Sequence, residues 1–596
     1  MPDGVSRRRF ISSAHSAFVT LSGKDWVIDV LEDPTCKSYD PTKFIIKIAK
    51  TANGVFIPSS SNFLLTVKDV NGAIVDQIEN IPRNNLTIYT APAPSGQNHL
   101  QSTSIDNAQL GTEYTLEFMN NGSSPLDITT FINMTGAQIF DRDDIKEINQ
   151  WGANIIWANN LSYFMRDAIN MVCTATDKPN FSNVTDMSFM FQRAKAFTAD
   201  IGDWDVSNVI NMEGMFYDAN VFNGNIENWG NKTAKVTNMF NMFYFAQLFN
   251  RDIGTWDVSS VKNMGQMFFF ASSFNGNIEN WGNKTANVTL MNSMFDNASL
   301  FNRNIGTWDV SSVTKMNDMF FNAKAFNGDI QNWVKQGTNT SEVLDMSSMF
   351  YGATSFNQPI ETWKVDKVTN MHHMFYNAVE FNNYVDTWNV IKVEDMSYMF
   401  AKAIKFNKPV DWGIRTANVK NMNNMFTGAT NFNQPLGEWS LKSINTDTNA
   451  TGNLTDMFLN SGVDCSNFSK TLVGWQNGNT ATKVLNLGDT GRTYNRTAKK
   501  AYNALLTAGW TINNAIYDEF CGMGCTKEPE GTRVTGKSVP TIVISSSSGP
   551  LTLEFAKSMH NAFLGFISLD KGLVIPRIKG STHKIDPKPG MLFYDT

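Results

Sequence analysis

Between about residues 160 and 460 the chain repeats one arrangement of apolar and polar positions. It runs M-x-x-M-F-x-x-A-x-x-F-N, then I-x-x-W-x-V-x-x-V, then methionine again. The first methionine of this frame falls at Met187, Met212, Met239, Met264, Met291, Met316, Met346, Met371, Met396, Met422 and Met457. The steps are mostly 25 to 27 residues, with 30 between Met316 and Met346. From Met212 to Met316 they alternate 27 and 25, so NRDIGTWDVSSVKNMGQMF (250–268) returns 52 residues later as NRNIGTWDVSSVTKMNDMF (302–320). That echo is a duplicated pair of coils, and LSYFMRDAINM from Leu161 looks like a degenerate earlier coil. A period in this range predicts units that cannot bury their apolar face alone and therefore stack.

Within a unit, M-x-x-M-F-x-x-A spaces apolar residues at i, i+3, i+4 and i+7, which predicts one face of a short helix. The following I-x-x-W-x-V-x-x-V, bracketed by Gly, Asp and Ser, predicts a turn and a short strand. Strands paired coil to coil at about 4.8 Å would make eleven coils a rod on the order of 50 Å long. Residues 137–517 are therefore expected to form a capped solenoid, one short strand and one short helix per coil.

This frame explains the unusual load of 43 Phe, 29 Met and 15 Trp. Most of the Met and Trp sit at frame positions, where flexible thioethers and large rings fill the gaps between coils, so core packing outweighs a cofactor box. The Asn after the frame Phe (Asn223, Asn250, Asn275, Asn302, Asn327, Asn357, Asn382, Asn407, Asn433) predicts a buried amide ladder at a turn.

The unit NMxxMFxxAxxFNxxIxxWDVSxV resembles the BspA-like leucine-rich repeats of bacterial, mycoplasmal, protist and viral surface proteins. SKTLVGW (469–475) and LNLGDTGRTYNRTAKKAYNALLTAGWTI (485–512) resemble the unit that closes such arrays. The resemblance covers roughly residues 140–517. It implies a right-handed leucine-rich-repeat-type solenoid used for adhesion or recognition, and it implies no catalysis.

The two ends have other textures. Residues 1–23 are a basic arm. Ser6-Arg7-Arg8-Arg9-Phe10 looks like a twin-arginine signal, but Ser12, Ser13, His15, Ser16 and Thr20 break the apolar stretch that export requires. In residues 24–136, FIIKIAK (44–50), NFLLTVKD (62–69), NLTIYTA (85–91), EYTLEFM (113–119) and LDITTFINM (126–134) alternate with turn residues, which predicts an all-β sandwich suited to docking. Residues 518–596 predict a small β-rich assembly segment. There GFISLDKGLVIPRI (565–578) and PKPGMLFYDT (587–596) resemble a segment of phage and viral tail-fibre proteins, although the intervening KGSTHKIDPK departs from its usual acidic helix. That resemblance implies trimeric self-association.

Charged residues make up only 17% of the chain, and the net charge of −6 excludes the basic footprint of a nucleic-acid binder. No run approaches the roughly 18 apolar residues of a membrane span. Five cysteines are sparse; Cys521 and Cys525 in CGMGC are spaced for a local disulfide, and no partners for a zinc site lie nearby. His372 and His373 take the two free positions of one M-x-x-M and are expected on the surface without converging. Asp205, Asp257 and Asp309 recur in W-D-V-S, where a turn Asp bonding its own backbone outweighs a calcium or glycan-cleaving site.

Catalytic and phosphate-binding motifs are missing from the sequence, so neither an enzymatic site nor a cofactor nor a metal is expected. The one non-core pattern is the residue after M-F: Tyr217, Tyr244, Phe269, Phe321, Tyr351 and Tyr376. The preceding Phe takes the core side, so these six should turn outward and offer a row of rings to a host surface protein or glycan. Together these features point to a virion fibre, tail or capsid-decorating protein at the virion surface, partnered by other virion proteins or by itself as a homotrimer. A bacterial cell-surface adhesin and a glycan-depolymerising tailspike are the alternatives.

Overall fold

A computed structural model describes residues 43–49, 55–57, 63–78, 86–88, 113–120, 145–334, 342–444, 454–478 and 485–522. Each repeat opens on a turn built by the residue before its first methionine. The side-chain oxygens of Asp186, Asn211, Asn238, Asn263, Asp345, Asn370, Asp395 and Asn421 accept the N–H two residues on, at 2.8–3.2 Å. These residues also form a continuous series of parallel bridges, completed by Leu290 and Lys315, that joins coil to coil from Asn160 to Asn421. Short polar side chains are favoured here because they can mimic a backbone acceptor in a turn.

The M-x-x-M-F segment is a run of turns, which corrects the expected short helix. Alternate N–H groups leave the coil. Met212, Gly214, Phe216 and Asp218 donate to the carbonyls of Asn238, Phe240, Met242 and Tyr244 in the next coil, at 2.6–3.0 Å. The residues between them, Met215, Tyr217 and Ala219, donate three residues back within the coil. This alternation requires two left-handed residues in nearly every unit, such as Asn241 and Phe245 (φ +58° and +57°) or Gln266 and Phe270 (φ +55° and +54°). Tight turns every four residues put side chains on one side much as a helix does, so the apolar spacing could not separate the two. Left-handed backbone disfavours an L-residue by about 1–2 kcal/mol, and the coil-to-coil hydrogen bonds that it permits offset this.

The expected strand is also replaced. The I-x-x-W-x-V stretch makes turns, or 3-10 turns over Glu227–Thr233 and Glu279–Thr285, where Gly230 and Gly282 supply φ of +45° and +44°. Among the described residues the strand content of a coil is a single bridge. The frame Met, Phe, Trp, Val and Ile are nonetheless almost wholly buried in one continuous core. Phe rings stack within a coil (Phe216–Phe222, 3.9 Å) and between coils (Phe216–Phe243, 5.6 Å). Buried Trp also ties coils together. The indole N–H of Trp229, Trp256, Trp281, Trp308, Trp333, Trp388, Trp412 and Trp439 donates to an Ile or Val carbonyl of the preceding coil at 2.8–3.2 Å.

The asparagine ladder lies elsewhere than expected. From Asn223 to Asn407 each side-chain oxygen accepts the backbone N–H of the next coil's Asn at 2.8–3.0 Å, and Asn433 accepts that of Asp464 at 2.9 Å, but these asparagines are exposed or half-buried. The frame also shifts at its end. Met457 takes the second-methionine position and Leu454 the first, since Met457 donates to Leu454 and Phe426 donates to the Met457 carbonyl. Leu161–Met165 joins the same ladder as an earlier coil, through Leu161 to Asp186 and Met165 to Met190.

Before the repeats, strands β1 (Lys43–Ala49), β2 (Val55–Ile57), β3 (Phe63–Lys68), β4 (Ile74–Ile78), β5 (Leu86–Ile88) and β6 (Glu113–Asn120) are followed by β7 (Ile145–Gln150) and β8 (Val172–Cys173). One sheet has the order β4-β3-β6-β1-β7-β8, while β2 and β5 pair separately. Glu117 of β6 is held between Lys43 and Lys68 of its two neighbours, at 3.1 and 2.5 Å. Because β7 pairs with β1, the sheet runs past residue 136 into the first coil. The expected strand at 126–134 lies outside the described residues, as do the arm at 1–23 and both C-terminal motifs.

After the last coil, helices α1 (Cys465–Gly478) and α2 (Arg496–Thr507) pack together beside two short parallel pairs. These are β9 (Asn486–Asp489) with β11 (Thr511–Asn513), and β10 (Thr493–Tyr494) with β12 (Ile516–Tyr517). Asn495 caps α2 by accepting the N–H of Thr497 at 3.1 Å. The disulfide of this cap is Cys465–Cys521 (Cα–Cα 5.8 Å), which corrects the expected Cys521–Cys525 pair. The fold brings the start of α1 against the residues after β12, a juxtaposition invisible to spacing along the chain. A native disulfide of this kind contributes about 2–4 kcal/mol.

Two substitutions test this packing. A Cβ on Gly224 would fall on the Ala199 carbonyl oxygen, so Gly224→Ala should lower stability by about 1–3 kcal/mol. Trp256→Phe keeps a stacking ring but removes the indole N–H from the buried Ile226 carbonyl, which retains only the Trp229 N–H, and should cost about 0.5–1.5 kcal/mol. Urea denaturation followed by circular dichroism reads both, and unchanged midpoints would refute the coil contacts described.

Candidate recognition face

The residue after M-F lies at a fixed rung, because the N–H of the residue that follows it in one coil donates to its carbonyl counterpart in the next. Asp218 donates to Tyr244, Phe245 to Phe269, Phe270 to Asp296, Asn297 to Phe321, Asn322 to Tyr351 and Gly352 to Tyr376, at 2.6–2.7 Å. The six predicted aromatics therefore fall in one column. They form two stacks: Tyr217–Tyr244–Phe269, with ring centroids 4.4 and 4.5 Å apart, and Phe321–Tyr351–Tyr376, also at 4.4 and 4.5 Å.

All six are half-buried. Rings this close and within 9° of parallel spend their faces on one another. The column thus presents edges and hydroxyls, where freely outward rings were expected. At the Tyr376 end, Lys402 Nζ lies 5.2 Å from the ring centroid. Burial, reinforced by the adjoining Tyr, pushes the Tyr244 and Tyr351 hydroxyls above their ordinary pKa.

Asp296 is the rung between the two stacks, and it is 8% exposed. Its Oδ1 accepts from Asn297 Nδ2 at 2.5 Å. Burial pushes its carboxyl up to about 7, with the Asn297 bond opposing this and the Asp318 charge adding to it. Burial likewise raises Asp318, which accepts from Asn317 Nδ2 at 2.9 Å. Sequence reasoning followed the aromatics and passed over Asp296, although the frame carried the signal: this coil reads M-F-D where its neighbours read M-F-F.

A second column beside the first contains the stacked pair Phe245–Phe270 (4.6 Å), then Asn297 and Asn322. The histidines do converge, contrary to expectation. His372 Nδ1 and His373 Nδ1 lie 2.7 Å apart, and His373 stacks on Tyr398 at 4.7 Å. The helix argument fails because His373 is left-handed (φ +56°), which turns adjacent side chains toward one another. Burial and the His372 charge lower the pKa of His373. Asp205, Asp257 and Asp309 each accept the N–H of the Ser two residues on, at 2.9–3.1 Å, so their turn role is the one observed. Among the described residues, no group of three or more His, Cys, Asp or Glu could hold a metal ion, and no helix is long and apolar enough to cross a membrane.

These features define a protein of stacked repeats with a continuous polar-aromatic face. The family model described as "Mycoplasma protein of unknown function, DUF285" matches residues 159–281, 249–336, 282–376, 336–439 and 385–497, which overlap to span more than half of the chain. The chain belongs to this family. No curated protein and no solved structure matches it.

The carboxyl at the break gives a signed pH dependence. The folded chain holds the Asp296 proton more tightly than the unfolded chain, whose ordinary value is 3.8. The ionisation penalty is therefore absent below about pH 4, grows toward pH 7 and stays in place above it. Asp296→Asn removes the titration, so the variant should gain stability relative to the parent chain as pH rises from 5 to 8. Chemical denaturation at both pH values checks this; a pH-independent difference contradicts it.

Proposed function

We propose that the chain is a non-enzymatic virion structural protein, of fibre, tail or capsid-decorating type, whose coils form a BspA-like leucine-rich-repeat solenoid that recognises a protein on the host surface. The observation that carries this reading is the paired aromatic column from Tyr217 to Tyr376. Half-buried rings with exposed edges and hydroxyls make a rigid, amphipathic contact surface of the kind that protein interfaces favour. A glycan would need a run of free ring faces, and the stacks consume all but those at their ends. The W-D-V-S carboxylates bond their own backbone, which weighs against a glycan-depolymerising role. The Cys465–Cys521 bond suits an oxidising exterior.

The tail-fibre-like residues 565–578 and 587–596 favour the virion and a homotrimer. A cell-surface adhesin is the second reading, favoured by the family's description as Mycoplasma proteins. Replacing Tyr217, Tyr244 and Tyr351 together by Phe keeps the stacks and removes three hydroxyls. Binding of the full chain to host cells should weaken at least about tenfold with the melting temperature unchanged; undiminished binding would discard the recognition face. Light scattering should give a trimer for the full chain and a monomer for a chain ending at Arg533. A monomer in both cases would remove the fibre-type assembly and leave the adhesin.

A further inference from the structure

The aromatic column is broken at one rung, and the break is not a slip of register. Phe270 N–H donates to the Asp296 carbonyl and Asn297 N–H to that of Phe321, both at 2.7 Å, so the backbone ladder passes through without a shift. Asp296 stands where a ring stands on either side. With a step of 4.5 Å, Phe269 and Phe321 are two rungs and about 9 Å apart, which leaves room between them for one further flat group. A carboxylate is much shorter than a phenyl or phenol ring, so it forms the floor of that gap and does not fill it. The ring faces that lack a stacked neighbour within the column on this side are those of Phe269 and Phe321, both turned toward Asp296.

The charge of the gap is as marked as its shape. Among the described residues no ion pair involves Asp296 or Asp318, and the charge acting on Asp296 is that second carboxylate. Asn297 bonds the Asp296 carboxylate and receives Asn322 Nδ2 at 3.3 Å, so the neighbouring side chains are neutral amides. A metal ion would need more oxygen or nitrogen ligands than converge here. A planar cation meets every condition: it stacks on both ring faces and pairs with the carboxylate below.

We propose that this break is a slot for an arginine side chain of a partner protein, its guanidinium held flat between Phe269 and Phe321 and paired with Asp296. The proposal rests on the reading of this face as a protein-recognition surface and names the chemistry that it takes. Arginine is preferred over lysine because a planar guanidinium matches parallel walls, whereas an ammonium does not.

The test uses the full chain with N-acetyl-arginine N-methylamide as probe and the neutral citrulline analogue as control, by isothermal titration calorimetry at pH 8. The arginine probe should bind, and the citrulline probe should bind at least about tenfold more weakly. Asp296→Asn, which preserves shape, should cause a similar loss, and Asp296→Phe, which restores the missing ring, should abolish binding. Equal affinity of Asp296→Phe and the parent chain for the arginine probe, or no discrimination between arginine and citrulline, would overturn the slot. A host-binding assay separates the two readings. Full host binding by Asp296→Phe sinks the slot and leaves the recognition face standing. A parent chain that binds no host surface sinks the recognition face, and the probe then decides the slot alone.

Discussion

The coil-to-coil hydrogen bond made by every second residue of M-x-x-M-F is the interaction on which the structure depends. It is available only because a residue in each turn adopts the left-handed region, aiming its N–H along the stack and not back into its own coil. Side chains then fall into columns with a step set by the backbone. A residue type that recurs once per unit becomes a continuous row of one chemistry: Phe on Phe, Trp on a neighbouring carbonyl, Asn on the next Asn N–H. The strain at each left-handed residue persists because its neighbours above and below over-determine it.

The same constraint shapes the surface. A column just outside the core must place like beside like at about ring thickness, so aromatics there stack and expose edges. Departures from the repeat change the surface locally, because a substitution at one rung leaves the backbone ladder intact while changing what that rung holds. Asp296 is such a departure, and so is the His372–His373 pair. Asp296 puts a titratable group where the coils on either side place a ring, the histidines pair two such groups within one coil, and both lie on the same side of the stack as the tyrosines.

The two ends use different physics. The N-terminal sheet continues into the first coil through β7, so the repeats begin on an existing hydrogen-bonded edge. The C-terminal cap lays α1 against the last coil, packs α2 on α1, and ties the start of α1 to the segment after β12 by a disulfide. Capping both ends removes the open faces that a stack of identical units would otherwise present to other copies.

The sequence by itself determined the period, the order of the coils, the core residues and the column in which the six aromatics stand. Each of these follows from which residues recur at a constant interval. It also carried the break at Asp296, legible as M-F-D among M-F-Y and M-F-F, though not what a carboxylate between two rings would mean. Only the tertiary structure decided that the apolar spacing makes turns and not a helix, because both place i, i+3, i+4 and i+7 on one side. Tertiary structure alone decided that the rings spend their faces on one another, that His372 meets His373, and that Cys521 finds Cys465 and not its near neighbour Cys525. Those outcomes depend on distances between residues far apart in the chain, or on the sign of one backbone angle, and neither is written in the order of the residues.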